Sequence, residues 1–454
     1  METRTAFLFP GQGSYIPGIL SGIVERSPRA ERVLATVDEV CTAEGRSPVS
    51  HLLRDTNSPS LAELSAERPD DLELVLFTGG VAAAEILAHL GLRADVVAGH
   101  SFGEISALTF AGALNVSAVV RLILRRQQAF RDASPPEGGM IALKLDARRT
   151  EHLVGLIDHP HLVLAVDNGP DQCVVSGPSE LLTEVYQVAH AAGVDGTRLR
   201  VAHPFHNPVL REVADRLGTH TADLPFQAPR IPTYSALLGR YMTTAEDMRE
   251  LAHVHLVRPV RFHNALLHLH RDGVRKFVES GPRDALTTVV DSCLPRHLTC
   301  VAPLRHRVSM AQLESLVFQE DKTPSAAEPV PPHNDSPASE ASRLPAEAAD
   351  ESPVEQPEDA GGTALPADGD IRRELSRLYA THLELPEELI TDDIDLEADL
   401  GIDSIKQLEV FAKARDRFGL PEPPEDLRVT SYTTLPEIIE LIRRLASTAP
   451  APQE

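Results

Sequence analysis

The five residues GHSFG (99–103) have the composition and spacing of a nucleophile elbow. They follow an apolar, strand-like run and open a segment with helical spacing, which is the context that a G-x-S-x-G elbow requires. The glycines permit a sharp turn, and the turn exposes the Ser101 hydroxyl at a helix N-terminus. The sequence therefore predicts Ser101 as a nucleophile. A chance occurrence of the pattern in a tight turn is the alternative.

A serine hydroxyl is a weak nucleophile, so the site needs a base within hydrogen-bonding reach. The loop HPFHNP (203–208) offers His203 and His206 where a strand breaks into a proline-flanked loop. The same pair would suit a metal, but no carboxylate or cysteine lies near them at ligand spacing, so no metal site is predicted. A second group of histidines is predicted to be structural, at the surface or partly buried: His253, His255, His263, His268 and His270.

A second glycine-rich turn, PGQGS (10–14), directly follows the first predicted strand. The glycines on either side of Gln12 let backbone N–H groups point into a cleft, which suits the stabilisation of an oxyanion. A phosphate-binding loop is the alternative. No GKS or GKT follows, however, so the segment does not match a Walker motif.

Residues 1–320 alternate strand-like apolar runs with helical patterns, which predicts an α/β domain. Within it, about residues 138–203 follow the order β-α-β-β-α-β, which predicts an inserted ferredoxin-like subdomain. Further strands are predicted at PTYSAL (232–237), VRKFVESG (274–281) and HLTCVAPL (297–304).

The net charge of −24 is concentrated in the C-terminal third of the chain, where residues 321–454 hold 30 acids and 12 bases. Residues 321–369 contain nine prolines, 11 acids, two bases and no aromatic residue, so they are predicted to be a disordered linker. Residues 370–447 contain amphipathic helices at 371–383, 404–418 and 434–446, which predict a small all-α bundle.

Charge and cysteine usage restrict the class of protein. The acidic balance disfavours nucleic acid or an anionic membrane as the main partner, because both require basic patches. The four cysteines are scattered without a CxxC pair, and the N-terminus lacks the pattern of a secretory leader. A reduced, cytoplasmic protein is therefore expected.

Eight motifs occur in order along residues 5–305: GQGS, GHSFGE, AGALN, VDNGPDQCVVSG, FHNP, APRIPTYS, RPVRF and ESGPRDAL. Together they resemble the malonyl-CoA:acyl-carrier-protein acyltransferase family, whose fold is a hydrolase-like α/β core with the small ferredoxin-like subdomain. The resemblance implies that Ser101 is the nucleophile and His206 its base. It also implies that a backbone carbonyl at Arg261 orients His206, and that the amides of Gln12 and Phe102 form the oxyanion hole.

The resemblance also bears on the substrate. Family members that take dicarboxylic acyl groups hold the free carboxylate with a buried arginine, and the alignment places Arg126 at that position. A planar guanidinium suits bidentate binding of a carboxylate. The alternative is a solvated arginine beside Arg121 and Arg125 on an amphipathic helix. HPFH resembles the HAFH form of malonyl enzymes, so malonyl is favoured, although Gln127 departs from the family's usual glycine or serine.

The segment LGIDSIK (400–406) resembles the phosphopantetheine attachment motif of acyl carrier proteins. This implies a carrier domain over residues 370–447 with 4′-phosphopantetheine on Ser404, added by a phosphopantetheinyl transferase. An N-cap role for Ser404 is the alternative.

The predicted function is transfer of malonyl, or a related dicarboxylic acyl group, from CoA through an acyl-Ser101 ester to the carrier thiol. A ketosynthase and other components of a polyketide or fatty-acid synthase are the implied partners, and loading in cis or onto separate acyl carrier proteins stays open. An acyl hydrolase of the same fold, which clears carriers, is the second hypothesis. A non-enzymatic docking scaffold is the third.

Overall fold

The computed structural model describes residues 4–319, 368–383, 396, 404–421, 432 and 434–447. The chain divides into two compact units, one that includes the whole chain up to Phe318 and one that comprises most of the remainder. The predicted linker (321–369) lies outside the described residues except for its last two positions. The acidic segment 384–403 also lies outside them, apart from Leu396.

The described part of the chain holds eleven β-strands. These are β1 (Arg4–Phe9), β2 (Val96–Gly99), β3 (Gly139–Leu143), β4 (Val163–Gly169), β5 (Gln172–Gly177), β6 (Gly196–Arg198), β7 (Thr233–Ser235), β8 (Arg240–Met242), β9 (Val260–Arg261), β10 (Val274–Glu279) and β11 (Thr299–Val301). All the strands expected from the sequence are present, and the short strands β8 and β9 are additional.

The same residues hold sixteen α-helices. These are α1 (Pro28–Ala43), α2 (His51–Arg54), α3 (Leu61–Glu67), α4 (Pro69–His89), α5 (Gly103–Phe110), α6 (Val116–Ala133), α7 (Ala147–Ile157), α8 (Ser179–Ala191), α9 (Arg211–His220), α10 (Ala245–Val254), α11 (Phe262–Arg271), α12 (Ala285–Cys293), α13 (Met310–Gln319), α14 (Asp368–Leu383), α15 (Ser404–Phe418) and α16 (Leu435–Ser447).

The larger sheet has the strand order β11-β10-β1-β2-β7-β8, and every pairing is parallel except that of β7 with β8. Its central strands are apolar and buried, as expected when helices cover both faces of a parallel sheet. Because Phe9 pairs with Gly99, β1 and β2 end side by side. The PGQGS turn and the GHSFG elbow therefore leave the sheet at the same edge, where ligands of such sheets bind.

The smaller sheet has the order β6-β3-β5-β4-β9. Its first four strands pair with their neighbours in antiparallel fashion. Together with the connecting helices α7 and α8, they have the strand order of a ferredoxin-like fold, which confirms the predicted subdomain fold. The fifth strand, β9, comes from a distant part of the chain. It pairs in parallel with β4 through Val166 with Val260 and Asp167 with Arg261.

Helix α4 forms much of the core of the larger subdomain and packs against α1 and α5. It is the one described helix that is long and apolar enough to cross a membrane. However, 78% of its most apolar stretch is buried inside the protein, which is the environment of a core helix.

The second unit contains α14, α15 and α16 within its described residues, which confirms the three predicted helices. Each buries an apolar face. Ile371 and Leu375 of α14, Val410 of α15, and Leu441 and Ile442 of α16 are all almost fully buried. Helix α14 contacts both of the others, as in a small bundle. An α/β unit with an inserted ferredoxin-like subdomain, and a second unit made of helices, agree with the fold class expected from the sequence.

Candidate active site

Ser101 lies at the tight turn between β2 and α5 and has a left-handed backbone with φ of 53°. A side chain at Gly99 would collide with the backbone of Glu104, and one at Gly103 would collide with the carbonyl of Phe9. Both glycines are therefore required for the close approach of the helix to the ends of β1 and β2. The local geometry is that of a nucleophile elbow.

The hydroxyl of Ser101 has a histidine partner. Ser101 Oγ lies 2.7 Å from His206 Nε2, and His206 Nδ1 lies 3.0 Å from the carbonyl oxygen of Arg258. Since a carbonyl only accepts, the proton of neutral His206 resides on Nδ1, and Nε2 is free to accept the serine proton. Asn207 anchors the loop by donating to the carbonyl oxygens of His161 and Ser176, at 2.9 and 3.1 Å.

The prediction that the carbonyl of Arg261 orients His206 is wrong. Arg261 belongs to β9, whose pairing with β4 holds its backbone in the smaller sheet. Its N–H donates to Ala236 O, and its guanidinium lies 3.5 Å from Glu151. Arg258 lies outside β9, and it is the carbonyl oxygen of this residue that accepts the hydrogen bond from His206 Nδ1.

His255 belongs to the site, contrary to the expectation that it is a structural histidine at the surface or partly buried. It is 6% exposed, and its Nε2 donates to the carbonyl oxygen of Ser101 at 3.1 Å. Its ring centroid lies 6.1 Å from that of His206. The remaining members of that group, His253, His263, His268 and His270, are exposed or partly exposed, as expected.

The buried histidines of the site are neutral at physiological pH. Burial, helped by the neighbouring His255 and His100, lowers the pKa of His206 to about 3. Burial and the positive charge of Arg126 lower the pKa of His255 to about 4. Burial also lowers the pKa of His100, whose Nε2 donates to Asn168 Oδ1 at 2.8 Å. Neutral His206 retains the lone pair that a general base needs.

The PGQGS turn lies directly against the elbow. A Cβ at Gly11 would lie 2.7 Å from His100 O and 3.7 Å from Ser101 Cβ. Among the described residues, neither the N–H of Gln12 nor that of Phe102 donates a hydrogen bond to another protein group. Two uncommitted donors beside a nucleophile can stabilise an oxyanion.

Arg126 on α6 is buried, with only 4% of its side chain exposed. Three rings, those of Phe102, Phe130 and Phe205, have their centroids 5.7, 5.1 and 5.2 Å from its Cζ. Its Nη1 pairs with Glu73 of α4. The alternative of a solvated arginine is therefore wrong for Arg126.

The two neighbouring arginines on α6 behave differently, because both form ion pairs at the surface. Arg121 pairs with Glu44 and Arg125 with Asp223. Gln127, which departs from the family pattern, is 4% exposed and donates to Asp70 O at 2.8 Å. This hydrogen bond ties α6 to α4.

An apolar pocket adjoins Arg126 and His255. Helices α5, α6, α9 and α10 line it with side chains such as Ile105, Leu122 and Leu251. The site thus combines a cationic group with an apolar compartment.

The described residues contain no group of three or more His, Cys, Asp or Glu side chains that could hold a metal ion. The ring of His203, which with His206 could have formed a metal pair, stacks on Phe130 with centroids 4.5 Å apart.

Ser404 is the first residue of α15. The free N–H groups and the positive end of the dipole at a helix start favour a phosphate group. This position in the second unit therefore fits a phosphodiester-linked prosthetic group.

Glu73, His255 and Arg258 are site residues that the sequence interpretation missed. Glu73 carried a usable signal, because it is an acid within the apolar run LELVLF (72–77). Such a residue usually has a buried partner. The sequence offers no comparable signal for His255 or for the carbonyl of Arg258.

A Ser–His pair at an elbow in an α/β sheet is the arrangement of an enzyme that transfers acyl groups through a serine ester. Residues 6–316 match the model of the acyl transferase domain, and residues 373–442 match that of the phosphopantetheine attachment site. The first match covers well over half of the sequence, and the chain belongs to the acyl transferase domain family.

Two curated relatives illustrate the similarity. The chain is 30% identical over 293 residues to the malonyl CoA-acyl carrier protein transacylase of Bacillus subtilis, covering 63% of this chain and 90% of that protein. It is 31% identical over 291 residues to the spectinabilin polyketide synthase system protein NorA′ of Streptomyces orinoci, covering 64% of this chain. The match spans only 8% of that synthase protein.

Solved structures share the fold. The malonyl CoA-acyl carrier protein transacylase of Coxiella burnetii has a TM-score of 0.61 and 25% identity, covering 70% of this chain and 96% of that one. The acyltransferase domain from the second module of the salinomycin polyketide synthase has a TM-score of 0.59 and 29% identity, covering 70% and 72%. The resemblance and the fold class inferred from the motifs are thus confirmed.

Proposed function

We propose that the protein transfers a malonyl or related dicarboxylic acyl group from CoA, through an ester on Ser101, to a carrier-bound thiol. The observation that carries this proposal is the 2.7 Å contact between Ser101 Oγ and His206 Nε2, next to a pocket that contains the buried Arg126. A nucleophile, a neutral base and a buried cation are the groups that this reaction requires.

In the first half-reaction, Ser101 Oγ attacks the thioester carbonyl carbon while His206 Nε2 takes the serine proton. The bond from His206 Nδ1–H to Arg258 O stabilises the imidazolium that forms. The amides of Gln12 and Phe102 hold the oxyanion. The C–S bond then breaks, and His206 returns the proton to the departing CoA sulfur, which leaves an acyl-Ser101 ester.

Arg126 binds the free carboxylate of the acyl group. Its guanidinium is shielded by three aromatic rings, so its attraction for a carboxylate is screened less than it would be in water. Acyl groups without a carboxylate gain nothing from this residue. The discrimination between malonyl and acetyl groups follows from that difference.

The carrier unit holds 4′-phosphopantetheine through Ser404 at the start of α15. When bound, the group supplies the thiol that accepts the acyl chain. In the second half-reaction, His206 Nε2 takes the proton of the accepting thiol and passes it to Ser101 Oγ as the ester C–O bond breaks, so the Ser101–His206 pair returns to its starting state. The implied partners are a phosphopantetheinyl transferase, a ketosynthase and other synthase components, and separate acyl carrier proteins, in the cytoplasm.

The acyl-hydrolase alternative has no observation in its favour among the described residues. A buried guanidinium is of little use to an enzyme that removes long, uncharged acyl chains from carriers. A docking scaffold without activity has no need of a serine hydroxyl bonded to a neutral histidine.

In the test, protein that carries phosphopantetheine at Ser404 is incubated with labelled malonyl-CoA or labelled acetyl-CoA, and the label bound to the protein is measured. Stable malonyl label on the carrier unit, lost in Ser101→Ala and retained in the exposed control Ser179→Ala, supports transfer. Free malonate as the main product from the wild-type protein would support hydrolysis instead.

A further inference from the structure

The guanidinium of Arg126 already has an anionic partner. Arg126 Nη1 pairs with Glu73 Oε1, and the two side chains are only 4% and 13% exposed. The second oxygen of Glu73 lies 3.4 Å from Gln127 Nε2. Glu73 is therefore held on both oxygens, by two consecutive residues of α6.

This pairing changes the charge that a substrate meets. The pair of Arg126 and Glu73 has a net charge of zero, and little water reaches it to screen either group. An acyl group with a free carboxylate would place a second negative charge close to Glu73. An acyl group without a carboxylate would meet no such repulsion.

Arg126 can nevertheless bind a carboxylate. Its buried Nε has no hydrogen-bond partner among the described residues, so this donor is available on a guanidinium already anchored by Glu73. The ring of Phe102, the residue next to Ser101, lies over the same guanidinium. Attraction to Arg126 and repulsion from Glu73 thus act on the same substrate group.

We propose that Glu73 determines acyl specificity by partly neutralising Arg126, so that the preference for dicarboxylic over neutral acyl groups is moderate rather than absolute. Glu73 acts through Arg126 and through charge, and it is a positioning residue rather than a catalytic one. This inference rests on the proposed function, since it concerns the acyl group delivered to Ser101.

The test compares steady-state transfer of malonyl and acetyl groups by wild-type and Glu73→Gln protein. Glutamine keeps an oxygen for Arg126 and removes the charge. We expect KM for malonyl-CoA to fall about tenfold with kcat unchanged, and KM for acetyl-CoA to stay constant. The matched control is Glu85→Gln, about 18 Å further along α4, where the acid faces Arg29. Glu85→Gln should leave kcat and KM unchanged for both malonyl-CoA and acetyl-CoA.

If KM in Glu73→Gln changed equally for malonyl-CoA and acetyl-CoA, or if the variant lost its preference for malonyl, Glu73 would only hold Arg126 in place. Either result would overturn the inference. A measurement on the wild-type protein does not depend on the folding of a variant. Malonyl-CoA should be preferred over its neutral amide isostere, malonamyl-CoA, by less than about a hundredfold. A larger preference would also overturn the inference. If the wild-type protein forms no acyl-Ser101 ester at all, the proposed function itself fails.

Discussion

The carbonyl oxygen of Arg258 lies 3.0 Å from Nδ1 of His206, and Ser101 Oγ lies 2.7 Å from Nε2 of the same ring. One side of the imidazole thus donates to an uncharged backbone acceptor while the other faces the nucleophile. A carbonyl dipole fixes the tautomer as an aspartate would, but it adds no negative charge to raise the pKa of the ring. The base therefore stays neutral.

Removal of the base should abolish acylation. In His206→Ala, the rate of acyl-Ser101 formation should fall by about 10²–10⁴-fold, because His206 Nε2 is the group that hydrogen-bonds to Ser101 Oγ and takes its proton. Single-turnover mixing with labelled malonyl-CoA measures this rate. His253→Ala, at a half-exposed surface position, is the control and should react normally. A decrease of less than tenfold in His206→Ala would exclude His206 as the base.

The pH dependence of acylation should reflect the lowered pKa of His206. A base acts in its neutral form, and a pKa of about 3 instead of 6.5 extends that form to lower pH. We therefore expect kcat/KM to stay level between about pH 5 and pH 8 rather than to fall near pH 6.5. Stopped-flow acylation across this range provides the measurement. If kcat/KM instead fell at low pH with a midpoint near pH 6.5, His206 would be better hydrated than its burial implies.

Arg126 should determine the preference for a free carboxylate. In Arg126→Ala, kcat/KM for malonyl-CoA should fall by about a hundredfold, while that for acetyl-CoA should change much less, so preference shifts toward acetyl. Arg125→Ala, which removes a surface pair with Asp223, is the matched control. Circular dichroism checks folding, because the buried Glu73 loses its ion-pair partner in Arg126→Ala. Malonyl selectivity that survives in the folded variant would refute the role of Arg126.

Glu279 should make the protein less stable as the pH rises. Its side chain is buried at the end of β10, where it accepts hydrogen bonds from the N–H groups of Leu286 and Thr287 in the first turn of α12, and burial raises its pKa from 4.5 to about 8. Between these values the unfolded chain releases the proton and the folded chain keeps it. The free energy of unfolding therefore falls with rising pH.

Glu279→Gln mimics the protonated side chain and should remove this dependence. At pH 8 the variant should exceed the wild type in free energy of unfolding by roughly 2–4 kcal/mol, with a smaller difference at pH 5. Urea denaturation at both pH values measures the difference. The exposed control Glu246→Gln should behave like the wild type. An equal difference at both pH values would argue against a buried, protonated Glu279.

Local chemistry explains which parts of the site the sequence could predict. The elbow at Ser101 depends on glycines two residues away on either side, so its signal is contained in five residues. The helices of the second unit were also predictable, since each has a continuous apolar face. The buried position of Arg126 came from the resemblance, because spacing alone left a solvated arginine open.

The features that escaped prediction depend on contacts between distant segments. The short pairing of β9 with β4 decides that Arg258 rather than Arg261 faces His206. His255 reaches Ser101 from 154 residues away along the chain, and Glu73 reaches Arg126 from 53 residues away. No local sequence pattern predicts contacts between residues so far apart in the chain.

The most direct test of the acyl-transfer mechanism is peptide mass spectrometry after brief mixing of Ser404→Ala protein with malonyl-CoA. This variant lacks the attachment site, so an ester on the enzyme should accumulate. We expect a malonyl group on the peptide containing Ser101, and none on that peptide when Ser101→Ala is combined with Ser404→Ala. An unmodified Ser101 peptide, or equal modification with and without Ser101, would contradict the mechanism.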